Sequence, residues 1–190
     1  MIRRFTSALA CLALTLAAGC ASSPTQYLTL VPPGSKAAAS TVVGAVHPLV
    51  TVSVPGQVDQ PNLVVRVADG SLLLLETVRW IAPLREEIRS ALVLSLADQL
   101  AAASPLPARI HVDIERFDSV PNHYASIDAV WSLTRTPDPR PTVACRSSLR
   151  VPVGPGYAEL ARGHQTAIGE LAAAIIRQAQ KSPPADLACD

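Results

Sequence analysis

His111, Asp113 and Glu115 recur at every second position. In a strand that spacing puts all three on one face, where an imidazole and two carboxylates suit a divalent cation. Val112 and Ile114 between them are apolar, so the pattern is equally that of a strand with one wet face. The amphipathic strand is the expectation. Cys145 would be a nucleophile only beside a base. His164 shares a helical stripe with Leu160, Ile168, Leu171 and Ile175, which fits a hydrogen-bonded core residue better than a catalyst. His47 and His123 stand apart from these groups. There is no Gly-rich phosphate loop, no G-x-S-x-G turn and no H-E-x-x-H helix. No catalytic residue, metal or cofactor is expected, and the chain reads as a non-enzyme.

The elements around these residues follow from their periodicity. Short strands are expected at Gln26–Leu30, at Leu49–Val54 and at Leu63–Ala68. Asp69-Gly70 predicts a two-residue hairpin turn, with Ser71–Leu75 as the returning strand. The four leucines Leu72 to Leu75 fit a doubly buried strand, the expected reading, or a groove for something apolar. Leu84, Ile88, Leu92, Leu96 and Leu100 repeat every four residues and predict a helix from Pro83 to Ala102. Three alternating stretches, Arg109–Phe117, Tyr124–Thr134 and Val143–Val153, predict an antiparallel meander with Cys145 facing inward. A second helix is expected from Tyr157 to Gln180, ended by Ser182-Pro183-Pro184. This order predicts an α+β domain: a mostly antiparallel sheet with two helices packed on one face. Asp59 and Arg66 flank Gln60-Pro61-Asn62 and are placed to pair across that turn. Arg79-Trp80 fits an aromatic-cationic surface, and Trp80 fits the core equally well.

The chain begins as an address. Met1-Ile2-Arg3-Arg4 is followed by an uncharged, mostly apolar run from Phe5 to Ala18. That run is shorter than the ~20 residues a spanning helix needs, so it reads as a signal peptide. It ends in Leu16-Ala17-Ala18-Gly19-Cys20, which resembles the lipobox of bacterial lipoproteins with Cys20 as the acylated residue. The domain reading is therefore a signal peptide over 1–19, a tether over 20–25, one α+β domain over 26–182 and a tail over 183–190. Removing Arg3 and Arg4 with the leader takes 16 Lys+Arg to 14, against 15 Asp+Glu, so the mature chain is near neutral. Charged residues make up 16% of the chain, against about 25% in globular proteins. A nucleic-acid partner needs a concentrated basic face and is excluded. The acyl chains expected on Cys20 would hold the chain on a membrane without a spanning helix.

Cys11 leaves with the leader, so Cys145 and Cys189 remain. In an oxidising compartment an intrachain disulfide between them is the expectation, with two free thiols or an intermolecular bridge as alternatives.

Several segments together carry a family likeness. They are Tyr27-Leu28-Thr29-Leu30, a Val-rich strand ending at Pro55, and Val58-Asp59-Gln60-Pro61-Asn62-Leu63-Val64-Val65-Arg66. Glu76-x-x-Arg79-Trp80-x-x-Pro83-Leu84 then opens the first helix. In that order, after a lipobox, they resemble the auxiliary lipoproteins of ABC-type transporters, the PqiC-type family. The likeness runs from about Gln26 to Ile176. Val58, Gln60 and Ile81-Ala82 depart mildly from the usual residues. The resemblance implies a lipoprotein on the periplasmic face of the outer membrane. It implies an MCE-domain protein of an inner-membrane complex as partner, a role in lipid traffic between the membranes, and a homo-oligomeric ring. It offers Asp59, Arg66, Arg79 and Trp80 as structural or interface residues. The alternative is a lipoprotein that assists assembly of an outer-membrane β-barrel, such as a lipopolysaccharide exporter.

Overall fold

The computed structural model describes residues 23–34, 49–100, 108–135, 143–180 and Cys189. The leader, Cys20, residues 101 and 102 of the expected first helix, and the tail apart from Cys189 lie outside them. The elements run β1 (Gln26–Leu28), β2 (Leu49–Ser53), β3 (Asn62–Arg66), β4 (Leu72–Trp80), α1 (Leu84–Leu100), β5 (Ala108–Val120), β6 (Tyr124–Arg135), β7 (Val143–Pro152) and α2 (Tyr157–Gln180). The α+β class and the antiparallel meander β5-β6-β7 match the reading of the sequence. The strands, however, divide between two sheets, ordered β1-β4-β3 and β2-β5-β6-β7. Each contains one parallel pair, β1 with β4 and β2 with β5.

In the four-stranded sheet the inward positions Ile110, Val112 and Ile114 of β5 meet Leu133, Trp131 and Ala129 of β6 across the ladder. Glu115 is then an extra residue on β5, since Ile114 faces Ala129 and Arg116 faces Asp128. One inserted residue reverses the alternation. Phe117 and Ser119, not Arg116 and Asp118, therefore continue the face that meets α2, where both contact His164.

Helix α2 crosses this sheet closely because small residues meet there. A Cβ on Gly163 would lie 2.5 Å from Val153 Cγ1 and 2.9 Å from Ala125 Cβ. Only a residue without a side chain fits that gap. Helix α1 packs against α2 and β2. Its Leu84, Ile88, Leu92 and Leu96 are buried, as their four-residue spacing predicts.

The hairpin β3-β4 is less regular. Its turn has Gly70 in the left-handed region (φ +84°), with Gly70 N–H donating to Val67 O and Val67 N–H to Ser71 O. Those bonds close a three-residue loop, Ala68-Asp69-Gly70, in place of the expected two-residue turn. Farther along, Asn62 pairs with Arg79 but Val64 already pairs with Leu74. Leu63 thus faces the whole of Leu75 to Val78, a bulge in β4.

Candidate docking surface

The two family-like segments lock onto each other. Trp80 N–H donates to Pro61 O at 2.7 Å, and Asn62 Nδ2 donates to Leu75 O at 2.8 Å. Pro83 precedes α1 and has no side-chain oxygen to cap it. Asp59 supplies the oxygen instead. It accepts from Arg85 N–H at 3.4 Å and from Arg85 Nη2 at 2.7 Å. The expected Asp59–Arg66 pair does not form. Arg66 reaches Asp118 on β5 with Nε and Nη2 at 3.0 and 2.8 Å, and Gly70 O with Nη1. The hydrogen bond to Asp118 raises the pKa of Arg66, against a smaller loss from desolvation. The bulge explains the exchange of partners, because Asp118 turns away from α2 toward β3.

Trp80 is core. It is 2% exposed and meets Phe117 edge-on, with ring centroids 6.3 Å apart. Of the two placements open to Trp80, core and interface, the fold takes the core: Val78 and Trp80 point inward on β4, and the strand's parity leaves Arg79 outside. Of the four interface candidates, Arg79 alone is exposed. Its Nε donates weakly to Glu76 O at 3.5 Å.

The polar face of the larger sheet is closed by pairing. His111 Nδ1 meets Thr51 Oγ1 at 2.9 Å, Ser53 Oγ donates to Asp113 Oδ1 at 2.5 Å, and Arg146 grips both Glu115 oxygens. Among the described residues no group of three or more His, Cys, Asp and Glu side chains could hold a metal. Cys145 and Cys189 are joined in a disulfide with Cα atoms 5.6 Å apart.

His164 is fully buried. Its Nε2 lies 2.8 Å from Ser119 Oγ, its ring stacks on Phe117 at 3.8 Å, and its Nδ1 has no partner. Burial lowers its pKa to about 3. A serine beside a histidine suggests a nucleophile and its base. Here both groups are sealed in the core, with Ser119 at 1% exposure.

The exposed large apolar side chains among the described residues are Tyr27, Leu49, Leu72, Leu73, Leu74 and Ile81, and all but Leu49, on β2 of the larger sheet, lie on or beside the three-stranded sheet. Leu72, Leu73 and Leu74 are 40%, 51% and 44% exposed, against the expectation of a doubly buried strand. The bulge sets this arm apart from Val78 and Trp80, whose side chains are buried. Tyr27 and Ile81 are also exposed. Tyr27 pairs with Arg79, and Ile81 N–H donates to Leu28 O, so Tyr27, Arg79 and Ile81 lie side by side. Sequence reasoning missed Tyr27 and Ile81. The available signal was their parity with Arg79, which becomes legible once β4 is known to run on to Trp80.

Residues 28–176 match the family described as the ABC-type transport auxiliary lipoprotein component. The chain belongs to that family. Its fold is also that of solved structures. One is an uncharacterized protein, 20% identical, with a TM-score of 0.64 over 82% of this chain and 99% of that one. A Xanthomonas campestris protein of the DUF330 family is 19% identical, with a TM-score of 0.56 over 81% of this chain and 90% of that one. No curated protein matches. For this auxiliary lipoprotein the family segments are thus chiefly structural. They bind each other, cap α1 and leave Arg79 facing out.

Proposed function

We propose that this auxiliary lipoprotein is a non-catalytic, outer-membrane-anchored component of an ABC/MCE-type system that moves lipid between the two membranes. Its partner is an MCE-domain protein of the inner-membrane complex, and its working form is a homo-oligomeric ring. The observation that carries this reading is the family match over 28–176 behind a lipobox that ends at Cys20. Three features support it. The Ser119–His164 pair lies in the sealed core, which suits a docking module better than an enzyme. None of the described helices is long and apolar enough to cross a membrane, so attachment falls to the acyl group on Cys20. Most of the exposed large apolar residues lie on or beside the three-stranded sheet, and exposed apolar residues gathered in one region mark interaction sites.

The test is co-purification. The full-length chain is expressed with its lipobox, crosslinked in cells, extracted in mild detergent and analysed by mass spectrometry. The expected result is an MCE-domain protein in the eluate. Recovery of a β-barrel, or of no partner from a chain with an intact acylated Cys20, would overturn it.

A further inference from the structure

From the exposed side of the three-stranded sheet we infer a second membrane contact: this face lies on the lipid surface to which the chain is tethered. The inference rests on acylation of Cys20. The residues concerned are Tyr27, Arg79 and Ile81 at the β1-β4 junction and Leu72 to Leu74 on the bulged arm of β4.

Reach is the first argument. Strand β1 begins at Gln26, six residue steps from Cys20 with five residues between them. Six steps span at most ~20 Å when fully extended. Tyr27 is therefore held within ~25 Å of an acyl-bearing residue, and the face that contains it is the part of the described domain nearest the bilayer along the chain.

The arm supplies the second argument. Successive side chains on a strand point to opposite faces. Leu72 and Leu74 thus point one way and Leu73 the other, and all are exposed. A folded partner laid on one side would leave leucine in water on the other. A fluid acyl boundary surrounds both sides. Amphipathic segments lie at this depth, ~5–10 Å into the headgroup boundary.

Charge and backbone then set how deep the arm goes. Asp69 sits at the hairpin tip, where hydrogen bonding from the Ser71 side chain, and after it from Ser71 N–H, lowers the pKa of its carboxyl. Glu76 is exposed on the same strand as Arg79. These charges, two carboxylates against one guanidinium, sum to −1, so attraction to a lipid surface is apolar and draws nothing from anionic headgroups. The backbone of Leu72–Leu74 pairs with β3 on one side. Strand β1 reaches β4 only at Val78 to Trp80, so among the described strands nothing pairs with the other side of the arm. Free backbone groups are costly in hydrocarbon. The arm therefore lies flat at the boundary, with its polar tip among the headgroups. Tyr27 and Arg79 fit that layer, where aromatic rings and long cations gather.

The test uses the full acylated chain in vesicles of phosphatidylethanolamine and phosphatidylglycerol that carry a nitroxide-labelled lipid. A fluorophore is placed at Thr77→Cys on this face, or at Ser148→Cys on the larger sheet. Both positions are exposed, so both variants keep the fold. The expected result is several-fold stronger quenching at position 77 than at 148, reduced to the level at 148 by Leu73→Asp with Leu74→Asp. Equal quenching, or more at 148, overturns the inference. Mass spectrometry of Cys20 tests the anchor separately. If Cys20 is unacylated the anchor reading fails, and quenching at 77 by added vesicles still supports the face while its absence still overturns it.

Discussion

On the four-stranded sheet, Leu49 at the start of β2 is exposed, but elsewhere polar side chains that point to water find partners on the same face. Thr51 meets His111, Ser53 meets Asp113, Ser148 meets Asp128, and Arg146 meets Glu115. On the three-stranded sheet the corresponding positions are leucine, tyrosine, isoleucine and an arginine whose guanidinium reaches only a backbone carbonyl at 3.5 Å. Both sheets bury apolar side chains, so burial alone does not account for the difference outside. The paired surface is made to stay in water, and the leucine-rich one is not. Buried and exposed residues alternate within one strand of the smaller sheet, which lets each role be broken without the other.

The largest effect belongs to that strand. Trp80→Ala removes a buried ring from the contact with Phe117 and costs about 3–5 kcal/mol. Ile81→Ser, one residue on, changes stability by less than about 0.5 kcal/mol. Urea unfolding of both variants checks the contrast, and a large loss for Ile81→Ser would break it. Next is the disulfide, which fastens Cys189 to the edge strand of the larger sheet and closes a long loop. Replacing both cysteines by serine lowers stability by about 2–5 kcal/mol, read as a drop in Tm. Gly163→Ala follows, at about 1–3 kcal/mol, because the new methyl overlaps Val153 and Ala125. An unchanged Tm there would mean that α2 does not approach the sheet so closely.

The pH dependence is smaller near neutrality. Burial holds the folded-state pKa of His164 at about 3, below the value near 6.5 of an unfolded histidine. The unfolded chain therefore takes up this proton first. The contribution is complete above pH ~6.5 and is lost as pH falls toward about 3, by up to about 1.4 kcal/mol per pH unit. Unfolding midpoints measured between pH 4 and 8 should show this slope, and His164→Gln should flatten it. Least of all for stability is Leu74→Thr, with a shift within about 0.5 kcal/mol. It should nevertheless raise the concentration at which the chain self-associates in light scattering. No change there would remove the distinction drawn between the two surfaces.

Much of this was open to reading in the residues. The every-fourth leucines from Leu84 to Leu100 and the stripe from Leu160 to Ile175 marked both helices, because an amphipathic helix carries its burial pattern in its spacing. The alternation of Ile110, Val112 and Ile114 marked the central strand and placed His111, Asp113 and Glu115 in water. The two family segments marked the region where β1, β4 and α1 meet. Local physics governs all of these: period, turn chemistry and charge at a helix start act over a few residues.

Partner choice and exposure on the smaller sheet were decided elsewhere. Asp59 sits beside Arg66 in sequence, yet Asp59 caps α1 and Arg66 reaches Asp118. Nothing in a nine-residue segment reveals a helix start or a bulged strand brought in from farther along the chain. The same holds for Leu72–Leu75, whose composition suits burial. Whether a strand is covered depends on a second layer, and the exposure of Leu72 to Leu74 beyond the bulge at Leu75 to Val78 is settled by tertiary packing, not by composition. Periodicity states which residues share a side; only the packing of the two sheets decides whether that side meets protein, water or lipid.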